Sequence, residues 1–138
     1  MSIMKYCLDT NVVSDMLKNY PPVMKNVIKA LAEGSQLQIS SIVYYEIVRG
    51  LQAPKHVCKR NDFYRLYESF PHLYFDRDNL KVAEKAAEIY EQVRHGNIIE
   101  DSDIFIAAIA IVNNCVLVTA NEKHFNRIEG LRYVNWRN

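Results

Sequence analysis

The stretch Met4-Lys5-Tyr6-Cys7-Leu8 followed by Asp9-Thr10-Asn11 constrains the fold more than any other. A short, mostly apolar run that stops abruptly at a carboxylate, a hydroxyl and an amide reads as a buried strand, with Leu8 its last buried residue and Asp9 at its carboxyl end. In an open α/β sheet that edge is where ligands bind. What matters next is which other polar side chains arrive at the same edge.

The rest of the chain repeats the pattern of short apolar strand, then helix. A helix through Val12, Val13, Met16 and Leu17 follows, with Thr10 or Asn11 expected as its cap. Pro21-Pro22 break the chain, and a second helix buries Val23, Val27, Ile28 and Leu31. A strand over Leu37 to Ile39 ends in Ser40-Ser41, which cap a helix from Ile42 to Leu51. A long helix over about Lys55 to Phe70 carries Phe63, Leu66, Tyr67 and Phe70 on one face and stops at Pro71. A third strand, Leu73 to Phe75, leads through Asp76 and Asp78 to a helix from about Leu80 to Arg94, with Gly96 ending it. Asp101-Ser102-Asp103 open a helix that is apolar on nearly all sides from Ile104 to Val112, so it is expected to be buried against the sheet. A fourth strand, Cys115 to Val118, leads to Thr119-Ala120-Asn121, a short helix around Lys123 to Asn126, and a last strand from Leu131 to Asn135. Alternation of this kind implies a mainly parallel sheet with helices on both faces.

Length and composition set the remaining bounds. At 138 residues the chain fits a single domain, residues 1–138, able to bury one sizeable core. A formal net charge of +1 neither favours nor opposes nucleic acid, so a nucleic-acid enzyme of this composition would have to cluster its basic residues. No apolar run is long enough to span a bilayer and no secretory signal is visible, which points to a cytoplasmic protein. Cys7, Cys58 and Cys115 are odd in number and lack metal spacing. Zinc is disfavoured for want of closely spaced His or Cys, and no glycine-rich phosphate loop is present.

Parallel strands deliver their carboxyl ends to one edge of the sheet. Asp9, Ser40-Ser41, Thr119 and Asn121 all follow strands, Glu46 lies one to two turns into the helix after Ser41, and Asp103 lies in the first turn of the apolar helix. Singly each has an ordinary explanation: helix caps, first-turn acids that suit the helix dipole, a turn asparagine. Together, two aspartates and a glutamate would repel one another unless a cation sits among them. Hard divalent ions such as Mg²⁺ or Mn²⁺ take oxygen ligands of this type and promote phosphodiester hydrolysis. His56, His72, His95 and His124 are scattered and read as surface residues, His124 being the one nearest the polar strand ends.

Leu8-Asp9-Thr10-Asn11, Ser40-Ser41 with Glu46 and Gly50, Asp103-Ile104-Phe105-Ile106-Ala107-Ala108, and Leu117-Val118-Thr119-Ala120-Asn121 with Phe125, Gly130-Leu131 and Asn135-Trp136 resemble, in order and spacing, PIN-domain ribonucleases, and more closely the VapC toxins of bacterial toxin–antitoxin pairs. The resemblance implies an α/β; PIN-like three-layer α/β/α sandwich with a mainly parallel sheet of about five strands. It implies Mg²⁺- or Mn²⁺-dependent endonucleolytic cleavage of RNA, with Asp9, Glu46 and Asp103 as the metal-binding acids. Asn121 falls at a fourth catalytic position, where the family often has aspartate, and the lost charge bears on whether a second ion binds. Thr119 matches a hydroxyl position. Asp103 is selected over Glu100 and Asp101 by the Ile-Ala-Ala that follows it, leaving Asp101 as a helix cap or, as the lesser alternative, a ligand acting through water. A homodimer and a small VapB-like antitoxin that wraps it are further implications.

The RNA expected is a structured one such as tRNA, and its cleavage would inhibit translation and growth. A basic track would be drawn from Lys18, Lys25, Lys29, Arg49, Lys55, Lys59, Arg60, Lys123 and Arg127, with Arg49, one turn from Glu46, the foremost. Tyr44, Tyr45 and Tyr64 are candidate stacking or dimer residues, and Phe63, Tyr64 and Tyr67 line a surface suited to an antitoxin helix. The rival reading is a catalytically weak PIN-fold binding or regulatory module, kept open by Asn121. A phospho-accepting receiver domain would use Asp76 but needs a lysine after the last strand, and none follows.

Overall fold

In the computed structural model, residues 3–75 and 80–138 are described. Asp76 and Asp78 therefore lie outside the described residues. The elements are β1 (Lys5–Leu8), α1 (Thr10–Leu17), α2 (Pro21–Ala32), β2 (Gln36–Ser40), α3 (Ser41–Gly50), a 3-10 turn (Pro54–His56), α4 (Val57–Glu68), β3 (His72–Leu73), α5 (Lys81–Val93), α6 (Asp101–Val112), β4 (Val116–Val118), α7 (Glu122–Phe125) and β5 (Tyr133–Val134).

The five strands form one sheet in the order β3-β2-β1-β4-β5, and every pairing is parallel. Cys7 stands opposite Leu117, and Leu8 opposite Val118. From β1 the chain steps outward through β2 to β3, then crosses back to β4 and steps to β5 on the other side. Right-handed crossovers put the helices of these two excursions on opposite faces, α1–α4 on one and α5–α7 on the other. The direction reverses between β1 and β4, which are neighbours. That is the topological switch point, where adjacent loops part and leave a crevice at the strand ends.

The core follows the sequence pattern. Cys7, Leu8, Leu37, Ile39, Leu117 and Val118 line the sheet and are buried. In α6, Ile104, Ile106, Ala107, Ala108, Ile109 and Ala110 are buried, as an all-apolar helix must be. Trp136 closes the far side against Tyr6, the ring centroids 5.0 Å apart. Cys7 and Cys115 are buried free thiols, and burial raises the proton affinity of both.

Several expectations need correcting. In α2 the buried stripe is Val23, Val27 and Ala30, while Ile28 and Leu31 are exposed. The inward residues follow the helical repeat at spacings of four and three, which turns Ile28 and Leu31 onto the flank. The long helix begins with the 3-10 turn at Pro54 rather than at Lys55. The last strand is only Tyr133–Val134, because Leu131 is taken up by a turn, its N–H donating to the Ile128 carbonyl. Gly96 adopts no left-handed backbone; Gly34 does, at φ 81°, where the chain turns out of α2. What Gly96 provides is room, since a Cβ there would lie 2.8 Å from the Arg127 guanidinium.

Candidate active site

Asp9 leaves β1 while still in the sheet, its N–H donating to the Val118 carbonyl at 2.9 Å. It is also the N-cap of α1, with Oδ1 accepting from the Thr10 N–H at 2.8 Å. Capping was expected of Thr10 or Asn11. Asp9 performs it because the helix starts one residue earlier than either would allow, freeing both neighbours for other work. The Thr10 hydroxyl donates to Glu46 Oε1 at 2.6 Å. The Asn11 amide donates to Asp9 Oδ2 at 3.3 Å while its oxygen accepts from the Ala120 N–H at 3.1 Å. The Thr119 hydroxyl, fully buried, donates to Asp9 Oδ2 at 2.8 Å. Side chains from the ends of β1 and β4 thus tie the two strands together across the switch point.

Glu46 comes from α3, which Ser40 caps by accepting from the Val43 N–H at 3.2 Å. Asp103 comes from the first turn of α6. The N-cap of that helix is Glu100, without a side-chain bond. Asp101, expected as the cap, is instead the first helical residue and is exposed, because the helix begins one residue earlier than the Asp-Ser-Asp pattern suggests. Asn121 is the N-cap position of α7. It is exposed, and its own N–H donates to the Thr119 hydroxyl at 2.9 Å.

The electrostatics single out Asp9. It is 3% exposed, and burial pushes its carboxyl up to about 6, with the nearby Asp103 and Glu46 carboxylates adding to the rise against the opposing hydrogen bonds from Thr119 and Thr10. Asp103 is also raised by burial and by Glu46, while a hydrogen bond from His124 pulls it down. His124 Nδ1 lies 2.8 Å from Asp103 Oδ2. Sequence reasoning left His124 among the surface residues; its position three residues after Asn121 was the one available signal.

The donor set suits a hard divalent ion: three carboxylates that feel one another's charge, backed by hydroxyls and an amide, with no thiolate among them. Among the described residues no three His, Cys, Asp or Glu side chains converge as a ready-made cage. The donors are arranged around a common edge and an ion would have to draw them together.

Beside the site runs a groove of about 280 Å³, lined in part by Thr10, Leu17, Lys18, Glu46, Ile47 and Lys59. It joins one metal-type acid to two lysines of the expected basic track. The Arg49 guanidinium lies over the Tyr45 ring, 5.1 Å from its centroid. Arg127 does not belong to a track: its guanidinium donates to the carbonyls of Asn97 at 2.7 Å and Val93 at 3.4 Å, so it pins the turn between α5 and α6. Tyr44 packs among Phe63, Tyr64 and Tyr67, with centroid distances of 5.5, 6.2 and 4.7 Å.

A family model described as "PIN domain" matches residues 6–131, and the chain belongs to the PIN-domain family. Ribonuclease VapC2 of Rickettsia felis is 32% identical over 138 residues, covering 96% of this chain and 98% of the relative. Ribonuclease VapC1 of Methanocaldococcus jannaschii is 32% identical over 126 residues, covering 91% and 82%. Among solved structures, VapBC2 from Rickettsia felis bound to a promoter DNA fragment superposes with a TM-score of 0.83 at 30% identity, covering 96% of this chain and 99% of that one. VapBC-1 from nontypeable Haemophilus influenzae does so at 0.82 and 27% identity, covering 98% and 100%. Within the PIN family the chain is of the VapC toxin type.

Proposed function

We propose that this protein is a divalent-metal-dependent endoribonuclease, the toxin of a toxin–antitoxin pair. The observation that carries the reading is Asp9: a buried carboxylate at the switch point, kept close to two other carboxylates and, among the described residues, with no basic side chain paired to it. The names of the VapC relatives supply the substrate class, RNA.

Asp9, Asp103 and Glu46 would hold a Mg²⁺ or Mn²⁺ ion, with Asn121 at the mouth as an uncharged oxygen donor. A bound ion supplies Lewis acidity, making a water more acidic and offsetting charge at the scissile phosphate. The protein's own residues do the rest. Thr119 and Asn11 fix the Asp9 carboxylate, and Thr10 fixes Glu46. Lys18 and Lys59 give the adjoining groove positive charge for the phosphate backbone. A structured RNA such as tRNA is the target class, and its loss would stop translation and growth. The partner is a VapB-like antitoxin, the assembly contains a homodimer, and the compartment is the cytoplasm. Among the described residues no helix is long and apolar enough to cross a membrane.

The test is incubation of the purified protein with total RNA in Mg²⁺ or Mn²⁺ beside the Asp9→Ala variant. Cleavage by the first and none by the second is the expected result. Equal cleavage by both would remove Asp9 from catalysis, and no cleavage by either would favour the regulatory-module reading.

A further inference from the structure

We propose that His124 is a positioning residue for the acidic site: by donating from Nδ1 to Asp103 Oδ2 it fixes the carboxylate in one rotation and leaves Oδ1 for the metal ion. This rests on the metal-dependent reading above.

The carboxyl torsion of an aspartate is broad and nearly two-fold, so an unheld Asp103 would present either oxygen over a range of angles. One hydrogen bond removes that freedom. The His124–Asp103 contact is short, 2.8 Å, and lies on a carboxylate whose side chain is only 15% exposed. An ionised carboxylate can only accept, so Nδ1 carries the proton. The imidazole is itself well placed. Its neighbour Phe125 is fully buried, its N–H donates to the Asn121 carbonyl at 3.1 Å, and Asn121 in turn is bound to the Thr119 hydroxyl. The ring is therefore set by the end of β4, the same strand end that holds Asp9. The hydrogen bond from His124 counters the rise that burial imposes on Asp103.

The arrangement completes a pattern. Each of the three acids has an oxygen held by a donor from another element: Asp9 by Thr119, Glu46 by Thr10, Asp103 by His124. Donors of this kind orient metal ligands and hold their charge. His124 is the one that no strand-end motif announces.

The experiment is calorimetric titration of Mn²⁺ into the full chain stripped of metal. His124→Phe keeps a ring and loses the donor, His124→Ala loses both, and His124→Asn puts an amide nitrogen at the Nδ1 position. Phe and Ala are expected to weaken Mn²⁺ about tenfold or more, and Asn to stay within about threefold of the native protein, as for other outer donors to metal ligands. Thermal melting of the metal-free proteins reports folding separately, and Ala stands in should Phe fail to fold. Native affinity in the donorless variants overturns the proposal, as does an Asn variant as weak as Ala. If the native protein and Asp9→Asn titrate alike, the metal reading falls and this inference falls with it.

Discussion

Asp9 and Asp15 begin and nearly end the same short helix, and both are buried, at 3% and 6% exposure. Their charges are met in opposite ways. Asp15 takes a forked pair from Arg137, with Nε at 2.7 Å and Nη2 at 3.0 Å, an arrangement that satisfies both oxygens with one cation. Asp9 takes hydroxyl, amide and backbone donors, and its charged neighbours among the described residues are acids. Among those residues a cation neutralises the buried carboxylate at one end of α1 and not at the other. Asp15 is met by a partner of opposite sign, as a structural acid is; Asp9 is held in place by neutral donors, as the proposed metal-binding role requires.

The comparison is broken or sharpened by four measurements. The largest effect is on RNA cleavage: Asp9→Asn should lower it by about a thousandfold, the several kcal/mol a bound ion supplies in the transition state, while Arg137→Ala stays within a few fold when assayed well below its melting temperature. Comparable losses in both would erase the distinction.

The second is pH. Asp9 binds its proton more tightly folded, at about 6, than its ordinary value of 3.8. Between those values the unfolded chain has already released the proton, so metal-free stability falls as pH rises, by about 3 kcal/mol in all, and is flat above. The difference between native and Asp9→Asn urea-denaturation curves at successive pH values isolates this loss. Saturating Mg²⁺ should abolish it.

Third, Arg137→Ala leaves Asp15 charged and unpaired, which should cost about 2 kcal/mol at this half-open site and lower Tm by several degrees. Asp9→Asn should raise the Tm of the metal-free protein at neutral pH. Fourth, Thr119→Val keeps the shape and removes one donor from Asp9, a loss of about 1 kcal/mol read by chemical denaturation, with a further upward shift of the Asp9 carboxyl visible by NMR titration.

Much of the fold was legible because hydrophobic periodicity is a local signal. The strand before Asp9, the apolar helix from Ile104 and the parallel sheet all follow from spacing along the chain. The places of Asp9, Glu46 and Asp103 in the fold were legible for the same reason, since each sits at a fixed offset from a strand end or helix start. Helix boundaries were less so: a shift of one residue moved capping from Thr10 to Asp9, and left Asp101 inside its helix. Pairings distant in sequence were not legible. Asp15 and Arg137 are 122 residues apart, and nothing around either marks the other. The contact between His124 and Asp103 depends on how α7 leans toward α6, a product of the whole packing. Arg127 looked like an RNA-binding cation until its partners proved to be backbone carbonyls.

The strand order has a consequence for how the protein is made. Its central strand is the first to be synthesised, and the neighbour that completes the switch point, β4, is nearly the last. Asp9 emerges from the ribosome more than a hundred residues before Thr119 and His124. Chains grow from the N-terminus, so a nascent chain holds Asp9 and Glu46, with Thr10 and Asn11 beside them, long before Thr119 reaches Asp9 or Asp103 and His124 come alongside. The full set of carboxylates and their donors is therefore assembled only after the chain has passed β4 and α7 and folded back onto β1.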